Sequence, residues 1–377
     1  MPAEVVFECG CLDSLADRTR HIGKRPLIVT GRNSARVNGA LDRVAAQFPD
    51  APVFDAVEQN PSTDTCDAGG EVCREHNCNF VVGIGGGSPM DAAKTIAVLA
   101  CNPGPAEHYF GKDKFANPNL PIVAVPTTAG TGSEVTPNAV ITHRAKKFKR
   151  SIAGATMFPR LALLDPTLTT TMPSDITAYT GIDALSHAME GMISLNSTPM
   201  GEALGVDVCR QTWAWLPRAA AKPQDIEARG WMLYAAMLSG CIIAQSGTTL
   251  VHGMGYQLTL EFGLPHGLAN ALLLIPLFRR NAEHDPTIVA AIATALGQFA
   301  YPTPGDAALK ITEVLQELFG KIGIPETGEE VGIDPAKLDE LTDRIIADPS
   351  RFKNQPGTFT REDVKKVFME AAYGSTQ

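Results

Sequence analysis

The sequence predicts a two-part chain: an α/β part built on a mostly parallel sheet, then an all-helical part. Three observations carry this. Short apolar, β-branched runs alternate with helical periodicity through the first half. Strand signals nearly vanish after Pro173. A Thr/Pro-rich connection, LDPTLTTTMP (164–173), separates the two compositions, which places the parts at 1–168 and 169–377. A length of 377 residues agrees, because single cores rarely grow that large.

In order, EVVFEC (4–9) reads as a strand near a sheet edge. PLIVTG (26–31) is a second strand, ending at a glycine, and NGALDRVAAQF then has helical spacing with Asn38 as its cap. APVFDAV (51–57) is a strand, and TCDAGGEVCREHN a helix weakened by Gly69 and Gly70. NFVVGIG (79–85) is apolar throughout, as a strand covered on both faces should be. DAAKTIAVLACN follows as a helix and LPIVAVPTT (120–128) as a strand, and this alternation implies a parallel sheet. In the second half, Ser174 opens a helix that Gly181 interrupts, and GEALGVDVCRQTWAWLPRAAA (201–221) is another. LANALLLIPLF (268–278) is too short to span a bilayer and contains Pro276, so it reads as a buried helix. ALKITEVLQELFGKIGIP ends its helix at Gly320 and Pro325.

A net charge of −9 argues against nucleic acid or an anionic membrane as partner. The run HRAKKFKR (143–150) is a local basic exception. Eight cysteines form no CxxC pair, and Cys66, Cys73 and Cys78 lack a fourth partner at a zinc interval. Reduced thiols in a cytoplasmic protein are the expectation. MPAEVVFECG shows no basic segment followed by an apolar core, so no signal peptide is expected.

Four side chains suggest chemistry: Asp183 and His187 in GIDALSHAME, and His252 and His266 in LVHGMGYQLTLEFGLPHG. Asp183 and His187 are four apart in a helical stretch, which puts both on one face within reach of one ion. Three imidazoles and a carboxylate suit Fe or Zn and fit Mg or Ca poorly. The competing reading is an ordinary core or surface histidine at each position. In GIGGGSPMDAAK (83–94), a buried strand runs through glycines into a helix start, which favours a phosphate or pyrophosphate. It is neither a P-loop nor the usual dinucleotide fingerprint, since Lys94 follows Ala93 and Ser88 replaces a glycine. A tight turn without a ligand is the alternative. At VTGRNSARVNG (29–39), Gly31 and Arg32 stand where an acidic residue would grip a ribose hydroxyl, with Ser34 and Arg36 near. That suits a 2′-phosphate; a solvated surface turn is the alternative. PTTAGTGSEVTPNAVIT (126–142) offers Thr127, Thr128, Thr131, Ser133 and Asn138 as donors to phosphate or ribose, or is a plain polar loop.

Together GGGSPMDAAK, PTTAGTGSEVTPNAVIT, GIDALSHAMEG and the His252–His266 segment resemble the iron-containing (group III) alcohol dehydrogenase family, over nearly the whole chain. The resemblance implies a Rossmann-like dinucleotide domain and an all-helical metal-binding domain, of the dehydroquinate synthase-like superfamily, with the metal in the cleft between. It implies iron held by Asp183, His187, His252 and His266, and pyrophosphate at Gly86, Gly87 and Ser88 with Asp91 close by. By the same resemblance Asn60, Thr127, Thr128, Thr131, Asn138 and Lys149 line the rest of the cofactor site. NAD-preferring relatives usually carry an acidic residue where Gly31 stands, so NADP(H) is expected over NAD(H). Many relatives have a proton-relay histidine where this chain has Tyr256. A phenol, with an unperturbed pKa near about 10, is a poorer base, so Tyr256 either relays protons through water or only shapes the pocket.

The expected function is hydride transfer between NAD(P)H and a small alcohol and its aldehyde or ketone, on Fe2+ or Zn2+ as Lewis acid, in a cytoplasmic homodimer. A zinc glycerol dehydrogenase, a lyase of the dehydroquinate synthase type and a nucleotide-binding protein without turnover are the rivals.

Overall fold

The computed structural model describes residues 3–297 and 303–374. They form two compact units: residues up to Met172 together with Pro223–Leu233, and Pro173–Lys222 together with the chain from Tyr234 onward.

The first unit contains β1 (Glu4–Phe7), β2 (Pro26–Gly31), β3 (Val53–Val57), β4 (Phe80–Gly85), β5 (Gly111–Lys112), β6 (Ile122–Pro126), β7 (Asn138–His143), β8 (Phe148–Ala153) and β9 (Leu161–Leu164). Its helices are α1 (Leu15–Arg18), α2 (Ser34–Val37), α3 (Ala40–Gln47), α4 (Thr63–Glu75) and α5 (Gly87–Cys101). Six strands make an all-parallel sheet in the order β1-β9-β6-β4-β2-β3. Period-two alternation sends Leu27, Val29 and Val81 to one apolar layer and Ile28, Val82 and Ile84 to the other. Strands β4, β6 and β9 are buried along their whole length, as helices covering both faces require. Strand β1 lies at an edge, as its composition predicts.

The parallel sheet matches expectation; a second sheet does not. Strands β5, β8 and β7 form it, with β7 and β8 antiparallel from Asn138↔Ala153 to His143↔Phe148. The sequence reads these stretches as a polar loop and a basic run. Ala139, Ile141 and Ile152 are buried on one face, while Asn138, Val140, Thr142, Lys149 and Ser151 are among the alternate positions. Helix α4 runs unbroken through Gly69 and Gly70. A Cβ on Gly69 would lie 2.3 Å from Ile96 Cδ1, so the missing side chain lets α4 pack closely on α5.

The remaining helices are α6 (Ser174–Ile193), α7 (Pro199–Ala221), α8 (Ile226–Ser246), α9 (Leu250–Phe262), α10 (His266–Asn281), α11 (Pro286–Gly297), α12 (Ala307–Ile322), α13 (Leu338–Ile346) and α14 (Arg361–Tyr373). Two expectations are corrected. Gly181 does not interrupt α6; it lets Leu216 of α7 approach, since a Cβ there would lie 2.3 Å from Leu216 Cδ1. Helix α12 continues past Gly320 and ends at Gly323, whose φ of 70° is the left-handed stop. The apolar run 268–278 is buried inside α10. Among the described residues no single helix is long and apolar enough to cross a membrane.

Candidate metal centre and nucleotide-binding turns

Helix α6 presents Asp183 and His187 from one face, α9 presents His252, and α10 opens on His266. Missing side chains let these helices close on one another. A Cβ on Gly267 would lie 1.9 Å from the Tyr179 carbonyl oxygen of α6, and one on Gly255 would lie 2.1 Å from Asn270 Oδ1.

Asp183, His187 and His252 each offer a donor atom within 4.8 Å of the others. Asp183 Oδ1 is 3.5 Å from His252 Nε2 and 3.7 Å from His266 Nε2. Donors about 2.0–2.1 Å from a tetrahedral ion lie roughly 3.4 Å apart, so the spacing fits a metal centre. Asn270 supplies an independent test of that fit. Its Nδ2 lies 3.0 Å from Asp183 Oδ1, 3.3 Å from His252 Nε2 and 3.4 Å from His266 Nε2. An amide nitrogen carries two hydrogens, so Asn270 cannot donate to all three atoms at once, and a cation among them would fit the same arrangement.

Asp183, His187 and His252 are at most 6% exposed, while the His266 side chain is 22% exposed. Burial opposes ionisation of Asp183, but His187, His252 and His266 outweigh it and hold the carboxyl far below its usual range. Burial likewise opposes charging of His252, yet Glu190 and Asp183 overcome it and push its pKa up to about 9.

Glu190 and Asn270 escape sequence reasoning, because neither belongs to the expected ligand set. Spacing holds the signal: Glu190 follows Asp183 by seven residues and His187 by three, on the same helix face, and Asn270 follows His266 by four. Glu190 is fully buried, and its carboxylate accepts a bond from His252 Nδ1. Tyr256 lies one turn beyond His252, and its ring stacks on His266 with centroids 4.9 Å apart and planes at 13°.

In the α/β unit, β2 and β4 are neighbours in register from Pro26↔Phe80 to Thr30↔Ile84. The turns after Gly31 and Gly85 therefore open on one carboxyl edge, where ligands of such sheets bind. Helix α5 begins at Gly87 with Gly86 as its cap, and the N–H groups of Gly87 and Ser88 have no carbonyl to bond within the helix. A Cβ on Gly87 would lie 2.7 Å from Thr131 Cγ2, and one on Gly86 3.1 Å from Thr128 Oγ1, so the segment after β6 lies against this turn. Thr127 N donates to Gly85 O at 2.9 Å. Asn60, at a φ of 57°, donates its N–H to Ser88 Oγ at 3.1 Å, and Lys149 Nζ donates to Asn60 Oδ1 at 2.8 Å. Gly86, Gly87, Ser88, Asn60, Lys149, Thr127, Thr128 and Thr131 thus gather at one place.

Asp91 is engaged differently. It accepts bonds from Ser133 Oγ at 2.7 Å and Val140 N at 2.8 Å. Lys94, fully buried, donates to Ser133 Oγ, Thr136 Oγ1 and the Asn138 carbonyl. Both fasten the 133–140 segment to α5. Burial pushes Lys94 down to about 8 and the neighbouring Glu134 up to about 7. Arg32 and Ser34 are exposed beside Gly31, and Arg36 pairs with Asp55 at 2.6 Å. In the basic run, Arg144 pairs with Glu58 and Lys146 with Glu107. All eight cysteines are free thiols, and among the described residues none joins a metal-binding group.

Comparison with known proteins agrees along the whole chain. The profile of iron-containing alcohol dehydrogenase matches residues 2–166. That of the Fe-containing alcohol dehydrogenase family, C-terminal, matches residues 177–372. A 1,3-propanediol dehydrogenase of Citrobacter freundii is 34% identical over 93% of this chain and 92% of its own. An NAD-dependent methanol dehydrogenase of Bacillus methanolicus is 31% identical over 98% of both chains. The crystal structure of a 1,3-propanediol oxidoreductase superposes with a TM-score of 0.93 at 32% identity, covering 98% of each chain.

Proposed function

The chain belongs to the iron-containing alcohol dehydrogenase family, and on that premise we propose an iron- and NADP(H)-dependent alcohol dehydrogenase with Asp183, His187, His252 and His266 as metal ligands. It is an oxidoreductase of alcohols that uses a nicotinamide dinucleotide. When bound, the ion supplies Lewis-acid polarisation of the alcohol oxygen and the nicotinamide accepts or returns the hydride.

The chain's own residues prepare this. With an ion bound, the three imidazoles would be neutral nitrogen donors and Asp183 would supply the negative charge that matches a divalent cation. Burial shields Asp183, His187 and His252 from competing water, and the side of His266 is the open one. Gly87 and Ser88 offer N–H groups to pyrophosphate, and Lys149, anchored through Asn60, adds positive charge beside them. At Gly31 the absence of a carboxylate, with Arg32 exposed next to it, supports recognition of a 2′-phosphate. Stacking on His266 supports a pocket-shaping role for Tyr256 rather than a proton relay. We place the enzyme in the cytoplasm as a homodimer; the free thiols and the edge position of β1 support this.

The placement of His252 Nε2 at 3.5 Å and His266 Nε2 at 3.7 Å from Asp183 Oδ1 carries the reading. The test is anaerobic purification, metal analysis, and assay of short alcohols and aldehydes with each nicotinamide and with added Fe or Zn. One ion per chain and NADP(H)-linked turnover are expected, and both are lost in His266→Ala. Full metal content and turnover in that variant would defeat the assignment.

A further inference from the structure

Helix α9 starts at Leu250, and its first N–H groups need acceptors from outside the helix. Gln355 Oε1 accepts from Leu250 N at 3.2 Å, and one carboxylate oxygen of Glu190 serves His252 N and the preceding residue, Thr249. That carboxylate oxygen accepts from Thr249 N at 2.8 Å, Thr249 Oγ1 at 2.7 Å and His252 N at 3.3 Å. The other oxygen accepts from His252 Nδ1. Glu190 is entirely buried, on the helix that carries Asp183 and His187.

We propose that Glu190 is the positioning residue of the metal centre. It fixes the start of α9 to α6 and holds the His252 proton on Nδ1, so that the Nε2 lone pair faces Asp183 and His266. This rests on the metal reading above. A neutral imidazole carries one proton, and the nitrogen that bonds a carboxylate must be the one that keeps it. The other nitrogen is then a ligand, in the carboxylate–histidine–metal arrangement that fixes both tautomer and ring direction. His252 Nε2, 3.5 Å from Asp183 Oδ1, is that nitrogen.

The pattern of bonds also defines the perturbation. In Glu190→Gln the side-chain shape is kept, but the two ends are no longer alike. Two backbone N–H groups and a hydroxyl face one end, which therefore takes the amide oxygen. The amide NH2 is left facing His252 Nδ1 and donates to it, which moves the imidazole proton to Nε2, on the ligand side. The variant thus keeps the cap and inverts the tautomer.

The test uses the full-length chain with zinc alone, by competition against a chromophoric chelator, and cobalt alone, by its visible d–d bands. Wild type is expected to bind one ion. Glu190→Gln is expected to retain the wild-type far-ultraviolet circular dichroism but bind zinc about 10- to 100-fold more weakly, with altered cobalt bands. A folded Glu190→Gln with zinc affinity within threefold of wild type and unchanged cobalt bands overturns the proposal and leaves the metal reading standing. Wild type that binds neither ion overturns both. Should Glu190→Gln fail to fold, wild type decides: in zinc-loaded, 15N-histidine-labelled protein, the His252 signal absent from His252→Ala should show a proton on Nδ1 and zinc on Nε2. The reverse assignment overturns the proposal.

Discussion

Replacing Gly267 by alanine tests whether close helix packing sets the geometry of the proposed metal centre. The new Cβ would lie 1.9 Å from the Tyr179 carbonyl oxygen and 2.5 Å from its carbon, both backbone atoms of α6. Contacts below 3.0 Å are not tolerated, so α10 must retreat from α6 by about 1 Å. Helix geometry makes that carbonyl the acceptor of the Asp183 N–H, so the clash falls on the turn that presents one ligand. His266, adjacent to Gly267, moves with α10. Metal–ligand distances tolerate only about 0.2 Å, so a displacement several times larger breaks the set. Overpacking of this kind costs about 1–3 kcal/mol, or several degrees of melting temperature in a chelator. Gly267→Ala is therefore expected to melt lower without metal and to bind zinc at least about tenfold more weakly. A variant that melts with wild type in chelator and binds zinc equally well would refute this account of α6 and α10.

Other expectations concern single groups. Tyr256→Phe keeps the ring on His266 and should bind zinc as wild type does, while Tyr256→Ala should lose about two- to tenfold, the worth of a ring stack; equal affinity in both rejects the bracing role. Gly31→Asp should lower the NADP/NAD ratio of kcat/KM by about tenfold or more, read by steady-state kinetics, because a carboxylate repels a 2′-phosphate. For Glu134, burial raises the folded pKa to about 7, so its stabilising contribution is full below the ordinary carboxyl range and is lost as pH rises through 7. Melting scans at pH 5 and 8 should show wild type losing ground to Glu134→Gln at the higher pH; a constant difference argues against a neutral Glu134.

Continuous apolar strands such as Phe80–Gly85 and the dense helices of the second half announce themselves by periodicity alone. The β7–β8 hairpin does not, because the hydroxyl and basic residues along it also mark loops. Gly181 misleads for a related reason: sequence reports a helix breaker, whereas the cause of the glycine is Leu216 on another helix. At the proposed metal centre the donor residues are visible by type and spacing. Asn270 and Glu190 share helical spacing with them, but their roles also depend on atoms 18 to 87 residues away, brought near only when three helices converge.

The pairing of β1 with β9, Glu4 beside Leu161, bears on how the chain is made. The first strand emerges early and waits for a partner nearly 160 residues downstream. Pro223–Leu233 also belongs to that unit, where Arg229 donates to the carbonyls of Pro223 and Met172. At ribosomal speed of about 5–20 residues per second, the last of these pieces appears roughly 10–50 seconds after the first. A gene cut after Met172 would encode a body with one piece missing, so splitting this protein for expression calls for carrying the 223–233 stretch along.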